Sequence, residues 1–169
     1  MIFGPMDEVE MKQYLQEMNT LEEKIDRRKK EAYKAVETLE ESIERNSFPP
    51  TIREYNSAGV GMKDKVFDIL QKSYRDIDRQ LEDLSQELLQ ITEEEEKLRF
   101  VRRCIRGLPL MQSDLIEELV VEGCSWELFA KRNYISRATV SRRRKTAMRN
   151  LLYLYNYRFM QKKEGGKEK

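Results

Sequence analysis

Apolar residues recur every seven positions along the first forty residues of the chain. The repeat is Met11, Met18, Ile25, Ala32 and Leu39. A companion position three residues later holds Tyr14, Leu21, Arg28, Ala35 and Ser42. Charges of both signs fill the places between, which is typical of a coiled-coil helix with a solvated outer face. The pattern predicts a helix over about 7–45, with a seam weakened by the two polar companion residues.

A second and stronger repeat follows. Its main positions are Leu70, Ile77, Leu84, Ile91, Leu98 and Ile105. Its companion positions are Tyr74, Leu81 and Leu88, before Glu95 and Arg102 interrupt them. We predict a helix from near Asp64 that ends before Gly107. A seam of this length has to be covered, either by the first helix in an antiparallel hairpin or by another copy of the chain.

The segment 46–63 interrupts the two repeats. Pro49-Pro50 cannot continue a helix, and Gly59 and Gly61 add freedom to the backbone. We predict a connection of about eighteen residues, which is longer than most connections in compact domains. The pattern assigns it no function.

Shorter helices are predicted after Gly107-Leu108-Pro109. A helix over 112–121 has an apolar face, and Gly123 can end it in a left-handed conformation. That apolar face consists of Leu115, Ile116, Leu119 and Val120. The last residues, 164–169, contain Gly165-Gly166 and are predicted to be disordered.

Two capped helices are predicted next. Ser125 is placed to cap a short helix whose buried side is Trp126, Phe129 and Ala130, and Asn133-Tyr134 makes a tight turn. Ser136 caps a longer helix, whose inward residues are Val140, Ala147 and Leu151. The predicted fold class is therefore all-α. It comprises a long coiled-coil hairpin over 1–106, a helix-turn-helix module over 107–160 and a tail over 161–169.

Charge divides the chain in two, although its net charge is only +1. Residues 1–96 contain 14 Lys and Arg against 24 Asp and Glu, whereas residues 97–169 contain 18 against 7. No acidic residue occurs over 128–163, where eleven residues are basic. A basic block of this kind favours a polyanionic partner. The alternative is a merely solvated basic face.

The amino-acid composition argues against a catalytic function. The chain has no His, no Gly-rich phosphate loop and no nucleophile beside a base. Cys104 and Cys124 form no CxxC pair and are predicted to be reduced, small, buried apolar residues. No apolar stretch is long enough to span a bilayer. We therefore predict a cytoplasmic, non-enzymatic protein without a cofactor or a metal.

The predicted second helix of the C-terminal pair presents a basic first turn. A small residue, Ala130, permits a steep crossing of the two helices, and Val140 packs back against the first of them. This arrangement leaves the start of the second helix free to enter a major groove of DNA. The residues predicted to contact DNA are Ser136, Arg137, Thr139, Ser141, Arg142, Arg143, Arg144 and Lys145. Arg can bond to guanine edges or phosphates, and Ser and Thr to either.

The stretch Leu108–Leu151 resembles region 4 of bacterial sigma factors in its helix, EG turn, short helix, hydrophobic-Ser turn and basic helix. The segment ISRATVSRR is also similar to resolvase-type helix-turn-helices. With a coiled coil in front, the whole chain resembles the small phage regulators of the ArpU and RinA type. That resemblance implies a phage- or prophage-encoded activator of late genes in Gram-positive bacteria. It makes Ser136, Arg137, Thr139, Arg142 and Arg143 the expected DNA contacts, with Ala130, Ile135 and Val140 structural.

One departure from the resemblance is Tyr134, at a turn position often held by Gly. The chain also lacks the length of a full sigma factor.

Two other functions stay open: a small terminase-like DNA-packaging protein, which also combines a helix-turn-helix with a coiled coil, and a coiled-coil scaffold without a DNA role. The expected partners are double-stranded DNA, RNA polymerase as a further candidate, and another copy of the chain through the coiled coil.

Overall fold

The computed structural model describes residues 4–47 and 60–165, with side chains over 4–44 and 71–161. Every regular element in these ranges is helical, which confirms the predicted all-α class. Helix α1 spans Glu8–Ser47 and α2 spans Val60–Arg106. The shorter elements are α3 (Leu110–Ile116), a π-helical segment (Glu117–Val121), α4 (Trp126–Arg132) and α5 (Arg137–Gly165).

The bounds of the helices follow local signals. Asp7 and Glu10 form a reciprocal cap at the start of α1, since the Glu10 N–H donates to Asp7 Oδ1 at 2.8 Å and the Asp7 N–H donates to Glu10 Oε2 at 3.0 Å. Helix α2 ends at Arg106, as predicted, and begins four residues before Asp64. The predicted connection lies largely outside the described residues. Residues 161–165 of the predicted tail are helical, and 166–169 lie outside the described residues.

The chain separates into two compact units, each of which is considered on its own. One, the composite unit, comprises Met1–Ile25 and Glu93–Lys169, and the other, the mid-chain unit, comprises Asp26–Thr92. The predicted domain boundary at 106/107 therefore falls within the composite unit. The unit includes the first turns of α1 and the last turns of α2 together with every shorter helix.

The composite unit has a continuous apolar core. The side chains that are almost completely buried include Met11, Leu15, Met18, Val101, Cys104, Ile105, Leu115, Ile116, Val140, Ala147, Leu151 and Tyr155. Tyr155 of α5 donates its hydroxyl to the carbonyl oxygen of Gly4 at 3.0 Å. Asn156 exchanges two hydrogen bonds with the backbone of Met6. The segment before α1 is thereby fixed to the last helix of the chain.

The two cysteines differ in burial. Cys104 lies in the core of the composite unit, as predicted, and burial raises the pKa of its thiol. Cys124 is only half-buried, because it follows Gly123 in the exposed turn before α4. Both are free thiols.

The mid-chain unit is formed by parts of α1 and α2 and is only partly buried. Arg28 of α1 forms an ion pair with Glu87 of α2 at 2.7 Å, and this hydrogen bond lowers the pKa of the Glu87 carboxyl. Ala32 and Leu39 are buried, as the first repeat predicts. Tyr74 and Leu81, two companion positions of the second repeat, are 57% and 45% exposed. Apolar surface therefore remains uncovered along this part of α2.

The predicted helix over 112–121 differs from the observed backbone. An α-helical turn over α3 passes into a π-helical segment, where the Glu122 N–H donates to the Glu117 carbonyl oxygen at 2.9 Å. The apolar face is nevertheless buried as predicted. The spacing of apolar residues did not reveal the wider turn, because the same four residues are buried in spite of it. Gly123 follows with φ 68°, the left-handed conformation predicted for it.

Candidate nucleic-acid interface

A four-residue turn joins α4 to α5. Ser125 caps α4, since its hydroxyl accepts a hydrogen bond from the Leu128 N–H at 3.2 Å. The Ile135 N–H donates to the Ala130 carbonyl oxygen at 3.0 Å across the turn. Phe129 and Ala130 are buried below it, together with Val140 of α5. These contacts hold the start of α5 in a fixed direction relative to α4.

Tyr134 takes the conformation that glycine adopts most easily. Its φ is 54°, in the left-handed region, and its side chain is 97% exposed. The left-handed conformation costs a residue with a Cβ atom about 1–2 kcal/mol. The turn therefore keeps a backbone that suits glycine, although this position holds a tyrosine. The ring lies in solvent and can reach a partner.

The two hydroxyl residues at the start of α5 are engaged in capping. The Thr139 N–H donates to Ser136 Oγ at 3.1 Å, and the two side-chain hydroxyls lie 2.8 Å apart. This confirms the predicted N-cap at Ser136. It also holds both hydroxyls at the exposed tip of the helix, where the first free N–H groups of a helix attract anions.

Three cations of the predicted site face solvent. Arg142, Arg143 and Lys145 are exposed and form no ion pair within the described part of the chain. Arg137 is also exposed, but it forms an ion pair with Glu127 of α4 at 3.2 Å. Ser141 is half-buried. The site therefore consists of free cations beside one cation that an acidic residue partly neutralises.

Arg144 lies on the other side of the helix. Its guanidinium carbon is 5.1 Å from the centre of the Trp126 ring, the geometry of a cation–π contact. Its Nε atom is buried and has no hydrogen-bond partner. Four consecutive cations cover every side of a helix, so one of them has to face inward. Trp126 was predicted to be buried with Phe129 and Ala130, but it is only half-buried, because it lies at the first position of α4 and is covered by this arginine instead of by the core.

Arg149 belongs with the exposed cations, although the pattern-based prediction omits it. It is exposed, forms no ion pair in the described ranges and follows Arg142 by seven residues. Two turns of α-helix bring Arg149 close to the same direction as Arg142, with Lys145 between them. We call Arg142, Arg143, Lys145 and Arg149 the outward face of α5; Arg142, Lys145 and Arg149 lie within about 60° of one another around the helix, and Arg143 lies at the margin, about 100° from Arg142. The sequence could have shown that Arg149 belongs to this face, because Arg142, Lys145 and Arg149 are separated by three and four residues.

Aromatic residues extend the exposed side of α5 beyond Arg149. The rings of Tyr153 and Tyr157 stack with centres 6.1 Å apart, and the two residues are 71% and 51% exposed. Tyr155, between them, is fully buried and packs edge-on against Phe100. Burial raises the pKa of Tyr155 to about 12. Only the central one of these three tyrosines extends the core.

Comparison with protein-family models, with curated proteins and with solved structures found no match for this chain. Within the described residues, no cluster of three or more His, Cys, Asp and Glu is arranged to hold a metal ion. In the same part of the chain, every helix is too short or too polar to cross a bilayer. The geometry of the composite unit is therefore the basis for assigning a function.

Proposed function

We propose that this protein is a sequence-specific, double-stranded DNA-binding regulator of transcription. In this proposal α4, the turn and α5 form a helix-turn-helix like that of sigma factor region 4. The first two turns of α5 enter the major groove, and α1 and α2 form a helical hairpin. On the resemblance to regulators of the ArpU and RinA type, we propose that it acts as a phage or prophage activator of late genes. RNA polymerase is then the natural second partner.

The outward face of α5 is the observation on which this proposal rests. Its cations are exposed, and no carboxylate within the described residues forms an ion pair with them. Arginines on one face of a helix can bond to phosphates and to guanine edges at once. The acidic residue that follows the cap of α4, Glu127, already pairs with Arg137. Arg142, Lys145 and Arg149 lie on the side of α5 opposite the buried Val140, Ala147 and Leu151, which leaves them accessible to a polyanionic partner.

The burial pattern supports the same assignment. Val140, Ala147 and Leu151 face the core, so the rotation of α5 about its axis is fixed by packing. A fixed rotation is what a helix needs in order to present the same side chains to every base pair it reads. Contacts between α1 and α2 support the hairpin: Arg28 pairs with Glu87 in one unit, and Lys97 lies over the Tyr14 ring at 4.6 Å in the other.

A binding selection on fragmented genomic DNA, followed by salt titration, tests the proposal. We expect the purified chain to enrich a short common sequence. The logarithm of its affinity should fall with the logarithm of salt concentration, with a slope of about 0.9 for each phosphate contacted. If no sequence is enriched and the affinity is independent of salt, the DNA role is refuted. Mass in solution separates the regulator, a monomer or dimer, from a terminase-like ring of many copies.

A further inference from the structure

Three arginines line one open concavity at the end of α2. Arg103 and Arg106 belong to the last turn of α2, and Arg158 comes from α5. Phe100 and Gly107 complete the lining, and the space amounts to about 560 Å³. We call this set of five residues the arginine pocket. All of them belong to the composite unit.

Arg158 is held in the pocket by the fold. Its Nη1 atom donates a hydrogen bond to the Arg103 carbonyl oxygen at 3.1 Å. Gly107 makes room for it, since a Cβ atom at that position would lie 2.9 Å from Arg158 Nη2 and 3.1 Å from a methyl group of Leu154. One guanidinium of the pocket is therefore positioned by tertiary contacts, as in a binding site, and does not move freely in solvent.

The charge of the pocket is not balanced by the chain. None of its three arginines forms an ion pair with a carboxylate of the described residues. The carbonyl end of α2 attracts cations, but a helix end corresponds to only about half of a negative charge. Three guanidinium groups exceed that several times over. The remaining positive charge favours a bound anion.

We propose that the arginine pocket binds a small molecule bearing a phosphate group. Arginine presents paired N–H groups that match two phosphate oxygens, and the open concavity leaves the arginines on its rim accessible to such a group. Duplex DNA on the outward face is the less suitable source of the phosphate, because Arg158 follows Arg142 by about 24 Å along α5 and lies about 160° around it.

Calorimetric titration of the full chain with inorganic phosphate tests the pocket. Chloride keeps the ionic strength constant. We expect saturable binding that weakens at least fivefold in the double variant Arg103→Gln/Arg106→Gln, whose two side chains are exposed. The control is Arg75→Gln/Arg79→Gln, which removes the same charge from exposed positions of α2 outside both proposed sites and should leave phosphate binding unchanged. Circular dichroism establishes that each variant is folded, and Arg106→Gln alone replaces the double variant if that one unfolds.

Three outcomes would overturn the proposal. The first is the absence of saturable phosphate binding by the parent chain, and the second is an equal loss in both double variants. The third is a loss of duplex DNA binding in the Arg103→Gln/Arg106→Gln variant without any binding of free phosphate, which would assign the pocket to the DNA backbone. Because the DNA role does not depend on this pocket, its failure would leave the proposed function standing.

Discussion

Arg142 and Arg144 offer a comparison of two identical side chains on one helix. The first is exposed on the outward face, and the second lies over the Trp126 ring with a buried Nε atom. Each is replaced by alanine, and both DNA affinity and the free energy of unfolding are measured. We expect Arg142→Ala to affect binding and Arg144→Ala to affect stability.

The magnitudes follow from the surroundings of each arginine. Loss of a base-reading arginine costs about 1–3 kcal/mol of binding, or roughly a 5- to 150-fold weaker Kd. An exposed substitution changes stability by less than about 0.5 kcal/mol. For Arg144, loss of a partly buried cation–π contact costs about 1–2 kcal/mol, together with the packing of its aliphatic stem. Removal of the unpartnered Nε atom offsets part of this, so we expect a net loss of about 1 kcal/mol.

Fluorescence anisotropy with the selected duplex measures binding, and urea denaturation measures stability. The same titration against a duplex with one altered base pair reports specificity, which Arg142→Ala should relax at a single position. Arg149→Ala is a second outward-face variant and should resemble Arg142→Ala in weakening binding. The reasoning is refuted if Arg144→Ala weakens binding more than Arg142→Ala while leaving the unfolding free energy unchanged.

Two other perturbations test other parts of the molecule. Glu127→Gln removes the carboxylate that pairs with Arg137 at an exposed site. The affinity for duplex DNA should therefore rise about two- to fivefold at low salt and less at high salt. An unchanged affinity would show that Arg137 does not contact DNA. Leu81→Glu places a charge on the exposed apolar side of α2. It should lower the mass measured by light scattering if that side joins two copies of the chain, which is one of the two ways in which the second repeat could be covered. Gln86→Glu, an exposed change of the same charge on the same helix, should leave the mass unaltered. A parent chain that is monomeric at every concentration would rule out the covering of this seam by a second copy.

The seven-residue repeats predicted the buried positions of α1 correctly. All five main positions from Met11 to Leu39 are buried. The companion positions were harder to predict, because their burial depends on which surface covers them. Tyr14 and Leu21 are half-buried, whereas Ala35 is exposed. Leu15, which is completely buried, belongs to neither set of positions, since the first turns of α1 pack in the composite core and not only along one seam.

At the candidate site, too, some features of α5 could be predicted from the sequence and others could not. The run Arg142–Lys145 is recognisable from charge, and both serine caps are recognisable from their place before a helix. Trp126 precedes Arg144 by eighteen residues and lies on a different helix. No periodicity relates two such positions, so only the packing of α4 against α5 reveals that Arg144 is the inward cation. Arg149 could have been included from its seven-residue spacing to Arg142, because that spacing fixes a common direction on one helix.

Local patterns were sufficient for the helical class, the caps at Ser125 and Ser136, the left-handed Gly123 and the separation of acidic from basic residues, because each of these depends on neighbours within a few positions. Packing between distant helices accounts for the remainder. It joins the start of α1 to the end of α5 through Tyr155 and Asn156, and it brings Arg158 beside Arg103 across 55 positions of sequence. Contacts of that range depend on which helix faces meet, and a local alternation of polar and apolar residues does not encode that choice.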